Sequence, residues 1–211
     1  MNLTDLDNLI RYISEIHSDT ASRWETSGYF KGINLAKTCV IDVMDTSRHP
    51  EYLEYIFCHR SFLCDSTIEY GLEFAARGCE SRVKTQNSTE SKLAYYMKND
   101  RETGRGSLGG EVPLKKCLND LFGIRCFVSD SGCRLCDIIE YVENRSGGLK
   151  VLDSSKDDYK GVHIYFQKNN RAFPWELQIW KTEDIAGNKR SHGLYKQEYT
   201  KWESESRKER S

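Results

Sequence analysis

Two acidic residues stand where acids are costly. Asp120 heads the apolar run 121–128, LFGIRCFV, and Glu176 lies inside a second apolar stretch between Trp175 and Leu177. A charge on a buried strand is normally paired or metal-bound. If the two carboxylates are adjacent, they form an oxygen-donor site suited to magnesium. Gln178, two residues beyond Glu176, shares its strand face, and Arg125 sits inside the first run. Arg82, Lys84, Ser88 and Lys92 surround the start of a helix, where side-chain charge and backbone amides together make a phosphate cradle. Asp158-Tyr159-Lys160-Gly161-Val162-His163 puts an aromatic and a cation in a turn before a strand, with Tyr159 placed to stack on a base. Each feature alone has a plainer reading: an ion-paired acid, a solvated helix start, a packed turn tyrosine.

Other phosphate chemistry is excluded. There is no G-x-x-x-x-G-K-[ST], so this is not a P-loop enzyme. Gly104-Arg105-Gly106-Ser107-Leu108-Gly109 spells G-x-G-x-x-G, but it follows polar residues rather than a strand and reads as a mobile loop beside the site. The eight cysteines include one C-x-x-C, Cys133 and Cys136, with no second pair at zinc spacing, and they read as scattered reduced thiols. The formal net charge of -1 argues against a generally basic nucleic-acid binder. Local basic clusters stand at Lys115-Lys116, at Lys189-Arg190 and in the tail 207–210. No apolar run approaches the roughly 18 residues of a membrane span. The N-terminus lacks the basic start and apolar stretch of a secretory signal, so a cytoplasmic protein is expected.

The elements that must position these residues follow from periodicity. Leu6, Leu9, Ile10, Ile13 and Ile16 predict an opening amphipathic helix with Thr4 as its cap. Further helices are expected over 34–44 and from Glu51, giving a helical N-terminal extension over 1–65 ahead of a domain over 66–211. Ile68, Tyr70, Leu72 and Phe74 alternate with polar or small residues and favour a strand. Asn87 or Ser88 caps a short helix through about 97, and Pro113 opens another. Strands are predicted at 121–128, 149–152, 162–166 and 175–180, a helix around Ile138 to Val142, and a last helix from Thr182 or Glu183. The strands 162–166 and 175–180 flank Asn169-Asn170 and should pair as a hairpin. The class is α+β, a mixed β-sheet flanked by helices.

Taken in order, these segments resemble the synthetase domain of the RelA/SpoT family of pyrophosphokinases over roughly residues 67–199. Arg82-Val83-Lys84 with Ser88 and Lys92 is similar to the family's ATP-phosphate segment. Asp120-Leu121-Phe122-Gly123-Ile124-Arg125 is similar to its Asp-x-x-Gly-x-Arg strand, and Tyr159-Lys160-Gly161-Val162-His163 to its acceptor loop. Glu176-Leu177-Gln178-Ile179 is similar to its Glu-x-Gln-x strand, and His192 falls near its final helical histidine. The resemblance implies a nucleotidyltransferase-like synthetase fold in which ATP donates a pyrophosphate group. Asp120 and Glu176 would hold Mg2+, with Glu176 also helping to deprotonate the attacking hydroxyl and Gln178 orienting groups nearby. Arg82, Lys84, Ser88, Lys92, Arg125 and His192 would contact ATP, while Tyr159, Lys160 and His163 would receive the acceptor.

The chain also departs from the pattern of alarmone-making members. Lys160-Gly161 replaces an Arg-Ser pair, and Trp180-Lys181 stands where an arginine is usual. These departures resemble the small toxic members, the toxSAS group, which transfer pyrophosphate to the 3′-terminal adenosine of tRNA and so stop translation. That likeness implies a tRNA acceptor end held by Lys115, Lys116, Lys189, Arg190 and the tail, together with a partner antitoxin. The alternative is a small alarmone synthetase making (p)ppGpp or (p)ppApp from ATP and a guanosine or adenosine nucleotide.

Overall fold

The computed structural model describes residues 2–99, 110–129, 134–145, 148–191 and 193. The helix α1 spans Leu3–Glu25 and buries the expected stripe from Leu6 to Ile16, extended by Ala21 and Trp24. Its cap is Asn2, not Thr4. The Asp5 amide donates to Asn2 Oδ1 at 2.9 Å, and the Asn2 amide donates back to Asp5 Oδ2 at 3.0 Å. The helix expected over 34–44 shrinks to α2, Val40–Met44. Asn34 accepts the Ala36 amide on its side chain and the Thr38 amide on its carbonyl, which makes a local turn in competition with a helix.

The largest correction concerns residues 67–76. They continue α3, an unbroken helix Pro50–Ala76, rather than forming a strand. The alternation that suggested a strand hides two pairs at four-residue spacing. Tyr70 and Phe74 face inward at 9% and 0% exposure, whereas Ile68 and Leu72 face outward at 80% and 84%. Because α3 runs through residues 65 and 66, no element boundary falls between the expected helical extension and the following domain. One hydrophobic core includes α1, α3 and the sheet. His17 of α1 packs edge-on against Trp175, and its Nε2 lies 3.1 Å from the Phe173 carbonyl. The first helices therefore brace the sheet.

The remaining elements are β1 (Cys79–Val83), α4 (Gln86–Asn99), α5 (Leu114–Cys117), β2 (Phe122–Val128), α6 (Leu135–Arg145), β3 (Lys150–Asp153), β4 (Val162–Phe166) and β5 (Trp175–Lys181), followed by a 3-10 turn, Thr182–Asp184. Helical turns continue over 185–191. The strands form one sheet in the order β1-β2-β5-β4-β3, with β2 and β5 parallel and the other pairs antiparallel. The expected hairpin is β4–β5, and its turn is tied by Asn169 Oδ1, which accepts the amides of Arg171 and Ala172.

Side-chain alternation gives the sheet two different faces. Phe122, Ile124, Cys126 and Val128 of β2 and Trp175, Leu177 and Ile179 of β5 are all buried in the core. Fully burying such a side chain contributes roughly 1.5–3 kcal/mol. The register sets Arg82, Gly123, Glu176, Tyr165 and Lys150 in one row across the other face, with Glu80, Arg125, Gln178 and His163 in the next. The candidate site residues of the strands lie on that face.

The cysteine expectation is also corrected. Cys79 and Cys126 are cross-strand partners with Cα atoms 4.3 Å apart, and they form a disulfide. Cys39, Cys58, Cys64, Cys117 and Cys136 are free thiols, while Cys133 of the C-x-x-C lies outside the described residues. Among the described residues no helix is long and apolar enough to cross a membrane.

Candidate active site

Parallel pairing of β2 with β5 puts Gly123 opposite Glu176 and Arg125 opposite Gln178. Asp120, three residues before Gly123, enters from the turn that leads into β2. Asp120 and Glu176 consequently line one cavity of about 100 Å3, together with Arg82, Gly123, Arg125 and Gln178. That volume accommodates an ion or a phosphate group. A Cβ built on Gly123 meets nothing within 4 Å, so this glycine leaves space beside Glu176.

Asp120 is clamped by two ammonium groups. Lys84 Nζ donates to Oδ2 at 2.5 Å and Lys92 Nζ to Oδ1 at 2.9 Å, and Lys92 also donates to Asn119 Oδ1 at 3.3 Å. Burial pushes the Asp120 carboxyl up, but Lys92 and Lys84 together outweigh it and hold the group well below the usual aspartate range. Burial lowers the Lys84 ammonium despite its carboxylate neighbour. Lys84 is anchored through its backbone, with its amide donating to the Leu121 carbonyl and its own carbonyl accepting from Arg60 Nε, both at 2.8 Å. Ser88 lies in the first turn of α4, where its amide donates to Thr85 Oγ1 at 3.2 Å. Thr85, rather than Asn87 or Ser88, therefore closes that helix end.

A depressed aspartate contributes stability that is fully present above its unfolded value of about 3.9 and is lost as pH falls below it. The melting temperature should hold from neutral pH to about pH 5 and then drop. In an Asp120→Asn chain the share of that drop belonging to this site should vanish, as thermal melts between pH 7 and pH 3 would show.

Glu176 is 5% exposed, and both of its oxygens have hydrogen-bond partners. Tyr165 Oη donates to Oε1 at 2.9 Å, Gln178 Nε2 donates to Oε2 at 2.7 Å, and His163 Nδ1 lies 3.0 Å from Oε1. Burial pushes this carboxyl up, yet the hydrogen bond from His163 leads the opposing contacts and leaves it lowered. Gln178 Oε1 in turn accepts from both Nε and Nη2 of Arg125. The donors thus run in one direction along the row, from Arg125 to Gln178 to Glu176.

His163 joins Glu176 to Tyr159, whose Oη lies 2.6 Å from Nε2, and Trp180 Nε1 donates to the same Oη at 2.9 Å. An ionised Glu176 only accepts, so His163 Nδ1 carries the proton. In that tautomer Nε2 can accept the Tyr159 hydroxyl hydrogen, so each contact in the chain pairs a donor with an acceptor.

This geometry corrects the expectation for Tyr159. The residue is 8% exposed and packs edge-on against Trp180, with ring centroids 5.8 Å apart, so it presents no open stacking surface. Burial pushes its phenol up to about 12. The two departures from the family pattern prove to be one physical unit. A Cβ at Gly161 would lie 3.0 Å from Trp180 Cδ1, 3.1 Å from Tyr159 Oη and 3.2 Å from the Ile179 carbonyl, so any side chain here would push these neighbours back by a few tenths of an ångström. Trp180 also carries the Arg125 guanidinium 3.7 Å above its ring. Gly161→Ser is expected to cost about 1–3 kcal/mol in urea unfolding, and less in a Trp180→Ala background where one of the three contacts is relieved.

The other expected residues are dispersed. Lys160 is exposed, with its Nζ 3.4 Å from Asp184, and its backbone is held at both ends by buried Asn188. Lys115 and Lys116 are exposed at the sheet end where β5 begins, with Lys115 Nζ reaching Asn170 Oδ1 at 3.4 Å. Lys189 and Arg190 are exposed on the turns beyond the far end of β5, so the two basic pairs do not form one patch. His192, the loop 104–109 and the tail 207–210 lie outside the described residues.

Tyr165, Asn119 and Asn188 were not singled out from sequence, and Trp180 was noted only as a departure from the pattern. Tyr165 had a usable signal: it is two residues beyond His163 in a strand whose hairpin partner carries Glu176. The two asparagines act through contacts 27 and 28 residues away and had none.

A magnesium ion needs hard oxygen donors and commonly takes one or two carboxylates plus phosphate oxygens from substrate. Asp120 and Glu176 on one cavity fit that set. Among the described residues no group of three or more His, Cys, Asp or Glu side chains is arranged to hold a metal, so the remaining donors would have to come with the substrate.

No family model and no curated protein sequence matches the chain. Several solved structures do. Small alarmone synthetase 2 from Bacillus subtilis is 16% identical with a TM-score of 0.39, over 68% of this chain and 80% of that one. Small alarmone synthetase 1 from Bacillus subtilis, bound to its product pppGpp, is 20% identical with a TM-score of 0.32, over 56% and 61%. A GTP pyrophosphokinase family protein from Streptococcus pneumoniae is 17% identical with a TM-score of 0.37, over 70% and 76%.

Proposed function

We propose that this chain is an ATP-dependent pyrophosphokinase that transfers the β,γ-pyrophosphoryl group of ATP to a ribose hydroxyl, with the 3′-terminal adenosine of tRNA as acceptor. The reading is carried by one observation: Asp120 and Glu176 line a phosphate-sized cavity with Arg82 and Arg125, next to Lys84 and Lys92. Pyrophosphoryl transfer asks for in-line positioning and charge neutralisation more than covalent help, and those are the resources gathered here.

In the proposed reaction the acceptor hydroxyl oxygen bonds to the β-phosphorus of ATP. The bond from that phosphorus to the oxygen bridging the α-phosphate breaks, and AMP leaves with that oxygen. Glu176, held ionised by its hydrogen bonds from His163 and Gln178, accepts the hydroxyl proton as the new bond forms. Arg82 and Arg125 receive the phosphates, with Lys84 and Lys92 adding positive charge around Asp120. Asp120 and Glu176 would hold a magnesium ion brought in with the triphosphate, whose charge would offset that of the phosphate oxygens. Gln178 fixes the orientation of Glu176, and Tyr159 fixes His163.

The tRNA acceptor is proposed over a free nucleotide because Lys160-Gly161 and Trp180-Lys181 depart from the pattern of alarmone-making members. An RNA end can instead be held through its backbone by Lys115 and Lys116, with Lys189, Arg190 and the tail as further contacts, and such binding should weaken with salt. A toxin of this kind would act in the cytoplasm and be silenced by an antitoxin.

The test is a two-acceptor assay with magnesium, γ-labelled ATP and either tRNA or GDP. Label on tRNA with no new labelled nucleotide supports the proposal. Label on GDP alone shifts the assignment to an alarmone synthetase, and label on neither overturns transfer altogether.

A further inference from the structure

The outward face of α3 carries no role in the proposed chemistry, and its composition is unusual for a solvated helix. A groove of about 750 Å3 runs along it, walled by Leu53, Phe57 and Phe62 of α3, by Trp24 of α1 and by exposed Tyr29. The α3 residues lining it recur at three- and four-residue spacing from Pro50 to Asp65. The same stripe continues to Ile68 and Leu72, which are 80% and 84% exposed. At 1.5 Å per residue this face is roughly 33 Å long, the reach of a helix rather than of a small molecule. The opposite face of α3 already packs into the core through Tyr55, Ile56, Leu63, Tyr70 and Phe74. Leu53, Phe57 and Phe62 are partly buried against the core while Tyr29, Ile68 and Leu72 stand exposed, and a partly open apolar stripe of this length marks an interaction surface.

Charge selects the occupant. Glu54 and Asp65 line the groove, no basic side chain does, and neither acid has an ion pair among the described residues. A second copy of the chain would bring like charges together, and an anionic membrane would be repelled. Ser27 also lines the groove, and its buried Oγ has no hydrogen-bond partner among the described residues. We propose that this face of α3 docks an amphipathic helix of a partner protein, with apolar residues at three- and four-residue spacing flanked by lysine or arginine.

The test uses the full chain and two designed helical peptides that share one leucine stripe, flanked in one by lysines and in the other by glutamates. Binding is read by fluorescence polarisation. The lysine peptide should bind saturably and at least about tenfold more tightly than the glutamate peptide. Glu54→Lys/Asp65→Lys should reverse that preference, and Ile68→Ser/Leu72→Ser, which alters only exposed side chains, should weaken binding about tenfold with unchanged thermal melting. Equal binding of both peptides, absence of saturable binding by the lysine peptide, or indifference to both double variants overturns the proposal. So does self-association of the chain that is lost in Ile68→Ser/Leu72→Ser, since a second copy would then be the occupant. None of these readouts depends on transfer activity.

Discussion

Glu176→Gln is expected to lower the rate of pyrophosphate transfer about 10²- to 10⁴-fold while the protein still folds. The substitution keeps the shape and removes the charge, and the local donors make its consequence specific. Gln178 Nε2 donates to Glu176 Oε2, and Gln178 cannot turn its amide around because its Oε1 accepts two bonds from Arg125. An amide at 176 can still accept on one oxygen but must place its NH2 where an acceptor is needed. One lost hydrogen bond of this kind costs about 1–3 kcal/mol of stability, too little to unfold most domains. Initial rates, set beside a urea melt of the same variant, separate the two effects. A variant that keeps more than a tenth of the wild-type rate would remove Glu176 from the chemistry.

Asp120→Asn should be costly in a different way. Lys84 and Lys92 converge on this one carboxylate, and its loss leaves two ammonium groups facing each other at 16–17% side-chain exposure. Breaking a buried pair from one side costs about 3–5 kcal/mol, and the partial exposure places this case near the lower end. Transfer should fall as steeply as in the Glu176 variant, since both the proposed metal ligand and the lysine geometry are lost. The triple change Lys84→Met/Lys92→Met/Asp120→Leu tests whether the effect on folding is electrostatic. It removes every charge of the cluster and should recover most of the stability while remaining inactive. Recovery of transfer in that triple variant would mean that the cluster is only structural.

What could be read from the chain in advance was local. The runs at 121–128, 162–166 and 175–180 became β2, β4 and β5, because β-branched and aromatic residues there repeat at strand period, and the Asn169-Asn170 turn paired two of them. Placing Gln178 on the face of Glu176 needed only that period. Local pattern misled where two periods coincide. Ile68, Tyr70, Leu72 and Phe74 satisfy strand alternation, but as two interleaved four-residue pairs they satisfy a helix equally well, and core packing of Tyr70 and Phe74 decides for α3.

Contacts between distant residues were out of reach. The disulfide joins residues 47 apart, and nothing in the spacing of eight cysteines singles out Cys79 and Cys126 until β1 and β2 are paired. The lysine clamp on Asp120 spans 36 and 28 residues, so both lysines were assigned to phosphate without their carboxylate partner being seen. The role of Tyr159 was inferred from its loop alone. Its environment is set by Trp180, 21 residues on, and by the absence of a side chain at Gly161.

The central claim is that ATP is cleaved between its α- and β-phosphates and that the pyrophosphoryl group passes intact to an acceptor hydroxyl. It is tested most directly by following all products of one reaction with ATP labelled separately in the adenine and at the γ-phosphate. The account predicts AMP and γ-labelled acceptor in equal amounts, with no adenine label on the acceptor. Formation of ADP alongside labelled acceptor, or of acceptor carrying the adenine label with free pyrophosphate, would contradict it.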